Sequence, residues 1–119
     1  MSIEVACTPV TPEENVAGGW GKAPAVAVAK VVEGTIADWR IENVGWDALH
    51  DSGTEGSHHA RITRFLLDNS VTLVVAGHMG PPMQNTLAKL DIRVVLNASG
   101  DARGAIIAAV GRATDDPQN

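Results

Sequence analysis

The sequence is short of several things that whole classes of function require. Its single cysteine, Cys7, excludes an intrachain disulfide and fits a reducing compartment. Aromatic residues make up only 3% of the chain, so stacking platforms for single-stranded nucleic acid are scarce and the core must be aliphatic. The nine Lys and Arg are scattered singly against fourteen acidic residues, giving a formal charge of −5. Without a basic stripe, a phosphate backbone meets no concentrated positive charge. No apolar run is long enough to span a bilayer, and the chain does not open on a basic segment followed by an apolar one. A soluble, cytoplasmic protein with no membrane or nucleic-acid partner is expected. There is no GxxxxGK[ST] for a phosphate-binding loop and no CxxC or HxxxH pair for a zinc ion.

What the chain does have is aliphatic periodicity. Its 119 residues suit one core, expected over residues 1–113, with a polar, flexible tail at 114–119. Ile3–Cys7 alternates as a first strand. Ala25–Val32 and Thr35–Glu42, joined by Glu33-Gly34, read as an antiparallel hairpin in which Ala37, Trp39 and Ile41 share one face. Ser57 is a candidate N-cap for a helix with Ile62, Phe65 and Leu66 inward, and Asn69 is a candidate residue just past its end. Val71–Ala76 is a continuous apolar run, as in a strand buried on both faces. Met83, Leu87 and Leu90 then fall at i, i+4 and i+7 of a short helix, and Asp91–Val95 is the next strand. Asp101 can cap a last helix, Ala102–Arg112, with Ile106, Ile107 and Val110 inward. Gly104 inside it costs about 1 kcal/mol against Ala. A hairpin followed by alternating helices and strands predicts a three-layer α/β/α domain with a five-stranded mixed sheet, the hairpin at one edge. This is the element order of a ribonuclease-H-like domain.

Two glycine-rich segments stand out against this frame. Val16–Pro24 (VAGGWGKAP) is a loop with one large aromatic, and Gly77-His78-Met79-Gly80 follows the central strand at the sheet edge where open α/β folds bind ligands. The first resembles the "HFGRAP" loop of the dinitrogenase iron–molybdenum cofactor biosynthesis family. Val74–Gly80, with Leu87 and Asp91–Val94, resembles that family's "GxG…L…GI.V" segment, and the likeness runs to about Gly111. The resemblance implies the ribonuclease-H-like fold and noncovalent binding or carriage of a metal–sulfur cluster, with Gly19, Trp20, Gly21, Lys22, Gly77 and Gly80 around it. Where the family's first loop often has histidine, this chain has Gly19.

The residues themselves allow more than one chemistry. Imidazole and thioether suit soft and borderline metals, so His78 and Met79 are candidate ligands. Cys7 joins them if the first strand lies parallel beside the central one, and such a set suits copper(I) or the iron, molybdenum or sulfur of a cluster. Against this, Cys7, Met79 and Met83 can be plain core residues and His78 a cap. An anion at the helix start is the other option, although Pro81 and Pro82 have no N–H to offer. Adjacent His58 and His59 diverge by about 100° on a helix, too far to share one ion easily; one is expected to face solvent and one to pack near the first turn, and replacing either is expected to change neither binding nor stability. His50 and Asp51, from the long segment Asn43–Gly56, could join either of them as a metal or acid–base pair. Trp39 reads as core, whereas Trp20 and Trp46 read as loop residues that could wall a pocket. Nucleases of this fold hold metal ions on central carboxylates; here the first strand offers only Glu4, near its start, and the central strand has none. The expectation is a non-enzymatic carrier that passes a cluster to a protein acceptor, or else an interaction module of the same fold without a metal site.

Overall fold

The computed structural model describes residues 3–49 and 55–115. In chain order the elements are β1 (Ile3–Pro9), β2 (Val26–Val32), β3 (Thr35–Glu42), α1 (Trp46–Leu49), α2 (Glu55–Asp68), β4 (Leu73–Val75), α3 (Pro81–Lys89), β5 (Arg93–Val95) and α4 (Ala102–Asp115). They build one five-stranded sheet in the order β3-β2-β1-β4-β5. β1 and β2, and β2 and β3, pair antiparallel; β1 and β4, and β4 and β5, pair parallel. The mixed α/β sheet with an edge hairpin is as expected, and its strand order is compatible with a ribonuclease-H-like architecture.

Aliphatic alternation places a core on each face. On one side Cys7, Val28, Val74 and Ala76 meet Ile62 and Leu66 of α2 and Met83 and Leu87 of α3. On the other, Ala6, Ala29, Val31, Leu73 and Val75 meet Ile106, Ala109 and Val110 of α4. Burying each large aliphatic side chain contributes about 1.5–3 kcal/mol. The hairpin turns at Glu33 (φ 50°) and Gly34 (φ 81°), the two positive-φ positions of a turn whose twist matches the strands.

Several local expectations are corrected. A bulge between Lys30 and Val31 pairs Lys30 with Asp38 but Val31 with Ile36, leaving Ala37 as the extra residue. The inward face of β3 is therefore Ile36 and Trp39 rather than Ala37, Trp39 and Ile41. Ser57 lies inside α2, which begins at Glu55. The left-handed residue after α2 is Ser70 (φ 57°), not Asn69; Asn69 instead donates its amide to the Phe65 carbonyl at 2.8 Å. Asp101 does cap α4, accepting from the Gly104 N–H at 2.8 Å. Ile107, however, is 37% exposed, and Ala109 takes the inward place expected of it.

The tryptophans exchange their expected roles. Trp20, from an irregular segment, and Trp46, at the start of α1, are core residues at 2% and 1% exposure. Their rings meet edge-on with centroids 5.2 Å apart, and Phe65 continues the cluster at 5.7 Å from Trp46. Trp39 is only half-buried. Its Nε1 donates to Glu14 Oε1 at 3.1 Å, and the Arg103 guanidinium lies 4.3 Å over its ring. His50, Asp51 and residues 116–119 lie outside the described residues.

Candidate functional site

The site follows from how the sheet ends. β1 and β4 run parallel with Cys7 opposite Val74, so both chains leave the sheet at the same edge. After β1 the backbone doubles back: Val10 bridges Val16, and the Ala17 N–H bonds to the Pro9 carbonyl at 2.9 Å. This lays the segment Ala17–Lys22 across the turn that follows β4. Gly19 and His78 form a parallel bridge there, joining the two glycine-rich segments singled out in the sequence. Gly77 permits the approach. A Cβ on it would stand 3.3 Å from both the Gly18 and the Ala98 carbonyl oxygens, closer than ordinary van der Waals contact. Gly19, by contrast, has open space where a side chain would go.

Beside the bridge lies a cleft of about 350 Å³. One wall is Trp20 and Gly21; the other is Met79, Gly80, Pro82 and Met83 from the start of α3; His58 and His59 close it from the first turns of α2. Pro81 and Pro82 occupy the first positions of α3, where a missing N–H is tolerated. The turn before them is tied by Gln84, whose side-chain amide donates to the Met79 carbonyl at 2.9 Å.

His58 is 4% exposed and bonded through both ring nitrogens. Nε2 lies 2.7 Å from the Gly21 carbonyl, and Arg61 Nη1 lies 3.0 Å from Nδ1. A carbonyl only accepts and a guanidinium only donates, so the ring is the neutral Nε2–H tautomer. A metal could take His58 only by breaking one of these bonds. Trp20 carries a different signature. Its indole Nε1 is buried and has no hydrogen-bond partner among the described residues, a state that costs about 1–3 kcal/mol in an otherwise satisfied protein.

The residues expected from sequence are partly assembled here. Trp20, Gly21, Met79 and Gly80 line the cleft, and Gly19 and Gly77 shape its rim. His78 and Lys22 are exposed and lie outside the lining. Cys7 is corrected: it does not reach the edge as a thiolate. β1 continues to Pro9, so Cys7 sits within the sheet at zero exposure. Burial pushes its thiol far above the ordinary value, with the Arg40 charge pulling weakly the other way. Of the two adjacent histidines His58 packs, as one of them is expected to, while His59 is half-buried, and both line the cleft, which sequence alone does not show. The usable signal was their place at the start of a helix directly before the central strand. Among the described residues no three of His, Cys, Asp and Glu are grouped to hold a metal ion. Glu4 lies at the opposite, amino edge, paired with Arg93 and accepting from Thr72 Oγ1 at 2.6 Å. No helix among the described residues is long and apolar enough to cross a membrane.

The family profile described as dinitrogenase iron-molybdenum cofactor matches residues 1–112. No functionally curated protein matches the sequence. Among solved structures, PH0822 superposes with a TM-score of 0.71 over 90% of each chain at 16% identity. The Methanocaldococcus jannaschii protein mj0327, a proposed dinitrogenase, gives 0.67 at 7% identity, over 93% of this chain and 91% of that one. The apo form of the orange protein of Desulfovibrio gigas gives 0.68 at 19% identity, over 94% of this chain and 88% of the other. At these identities the likeness is one of fold.

Proposed function

This chain belongs to the dinitrogenase iron-molybdenum cofactor family, and from that premise we propose that it is a non-enzymatic carrier. Its cargo is a metal–sulfur cluster or a related anionic metal species, held in the cleft beside the Gly19–His78 bridge and released to a protein acceptor. The observation that carries this reading is the bridge itself, which joins the two glycine-rich segments at the mouth of one cavity. His78 offers an exposed imidazole at the rim, and Met79 and Met83 offer soft sulfur inside. Lys22, on the facing Val16–Pro24 loop, supplies a cation for an anionic cargo. Cys7 is assigned to the core under the cleft, because a buried neutral thiol is a poor ligand.

A carrier needs no acid–base pair, and no carboxylate is found among the described lining residues. The second reading, an interaction module that has the fold without the cargo, is favoured by Gly19 and by the lack, among the described residues, of a three-ligand group. Metal and acid-labile sulfide analysis of the anaerobically purified protein separates the two. Stoichiometric metal with sulfide supports the carrier. Protein that emerges empty and takes up no cluster on titration leaves the interaction module.

A further inference from the structure

The sheet ends on β5, and among the described residues no strand pairs with its outer side. Its register on β4 is unbroken, with Val94 opposite Val74. The Arg93 N–H bonds to the Thr72 carbonyl and the Ala76 N–H to the Val95 carbonyl, both at 3.0 Å. Arg93 and Val95 therefore turn their main-chain groups toward β4, and Val94 and Leu96 turn theirs outward. Ile92 belongs to the outward set as well. Its N–H is taken by the Leu87 carbonyl, which leaves its own carbonyl to offer. No bulge or proline blunts this row. The charged side chain on β5, Arg93, is drawn to Glu4 at the amino edge.

A groove flanks the row on each face of the sheet. On the α3 side Gln84, Ala88, Ile92 and Val94 line about 430 Å³. On the α4 side Val95, Leu96, Ala105 and Ala108 line about 210 Å³. We propose that a second copy of this chain occupies the edge, its β5 antiparallel to the first. The hydrogen-bond phase is self-complementary. On a two-fold axis Val94 faces Val94, and the two exchange both N–H···O bonds. Each Leu96 N–H then meets the Ile92 carbonyl of the other copy. The side chains agree with this register, because Ile92 and Leu96 fall opposite each other on the face that carries α3. The helices favour a second copy over an unrelated strand. α3 packs on β4 and β5, and its exposed Ala88 lines the groove at the edge. Two such helices stand two strand spacings apart, roughly 10 Å, which is the separation of packed helices. A lone strand leaves that side of the groove unfilled, and the single methyl of Ala88 lets two helices close over it. The axis reverses strand direction, so the two clefts open at opposite ends of the joined sheet. Dimerisation is thus independent of what the cleft carries.

Sedimentation velocity of the full chain at micromolar to millimolar concentration tests this, with amide exchange followed by NMR. A reversible monomer–dimer equilibrium is expected, in which dilution opens the Val94 and Leu96 amides to exchange. Val94→Pro removes an outward N–H and leaves the ladder to β4 whole. It should raise the dissociation constant about thirtyfold, through one hydrogen bond lost from each copy. Ala88→Arg sets like charges face to face on a helix that tolerates arginine, and should weaken the dimer roughly tenfold. Both variants should keep the circular dichroism spectrum of the parent. A parent chain that stays monomeric throughout overturns the proposal, as do assemblies larger than a dimer. So does a dimer whose Val94 and Leu96 amides exchange freely, or one that either folded variant leaves intact. Should Val94→Pro fail to fold, Ala88→Arg and the exchange pattern of the parent decide.

Discussion

The imidazole of His58 and the backbone carbonyl of Gly21 are joined by a 2.7 Å hydrogen bond across 37 residues of sequence. The first turns of α2 thereby hold the glycine-rich loop in place. His58→Ala should loosen that loop and strand the Gly21 carbonyl, lowering stability by about 1–3 kcal/mol and weakening cargo binding together with it. Chemical denaturation and cluster titration on the same variant check both effects. Wild-type values in each would mean that the bond holds nothing.

Gly77 and Gly19 should respond oppositely to added side chains. Gly77→Ala drives a methyl into the Gly18 and Ala98 carbonyl oxygens, and a loss of about 1–3 kcal/mol is expected. Gly19→Ala should stay within about 0.5 kcal/mol of the parent. Gly19→His, which restores the residue often found in the related loop, should fold normally and bind cargo more tightly, because it sets a second imidazole next to His78. Thermal melting reports the first pair of outcomes and titration the last.

His78 is exposed and outside the two cores. His78→Ala should therefore leave the melting temperature almost unmoved while abolishing or strongly reducing cluster uptake, read by absorbance. Retained uptake would remove His78 from the ligand set.

Cys7 makes a pH-dependent contribution. Its thiol is held neutral in the folded protein but ionises near its ordinary value of 9.0 once unfolded. Above that pH the native state binds more protons than the unfolded state, so stability falls as pH rises, by up to about 1.4 kcal/mol per unit. Below it the effect is absent. Comparing Cys7→Ala with the parent between pH 7 and 10 should show a steeper alkaline loss in the parent, and thiol reagents should modify Cys7 only on unfolding.

Element order and sheet type were legible because each is written in local periodicity and turn chemistry; the meeting of the two glycine-rich segments was implied by the family resemblance alone. The rest depends on partners far along the chain. The bulge at Ala37 is decided by how β3 registers on β2, which alternation within β3 does not contain. Trp20 and Trp46 sit in segments without periodicity, and only the fold brings them together against Phe65. His58 looked like half of an idle pair, since its distant partner, the Gly21 carbonyl, is backbone and leaves no mark on composition.

The bulge has a bearing on colloidal behaviour. β3 is the outer strand on the hairpin side of the sheet, and an outer strand with an unbroken row of amides invites a second chain to pair with it. Ala37 interrupts that row, and the exposed Asp38 and Arg40 beside it place charge on the same stretch. Deleting Ala37 would smooth the strand while leaving Asp38 opposite Lys30 and Trp39 opposite Ala29. The shortened chain should precipitate at concentrations at which the parent stays dispersed, as light scattering during concentration would register.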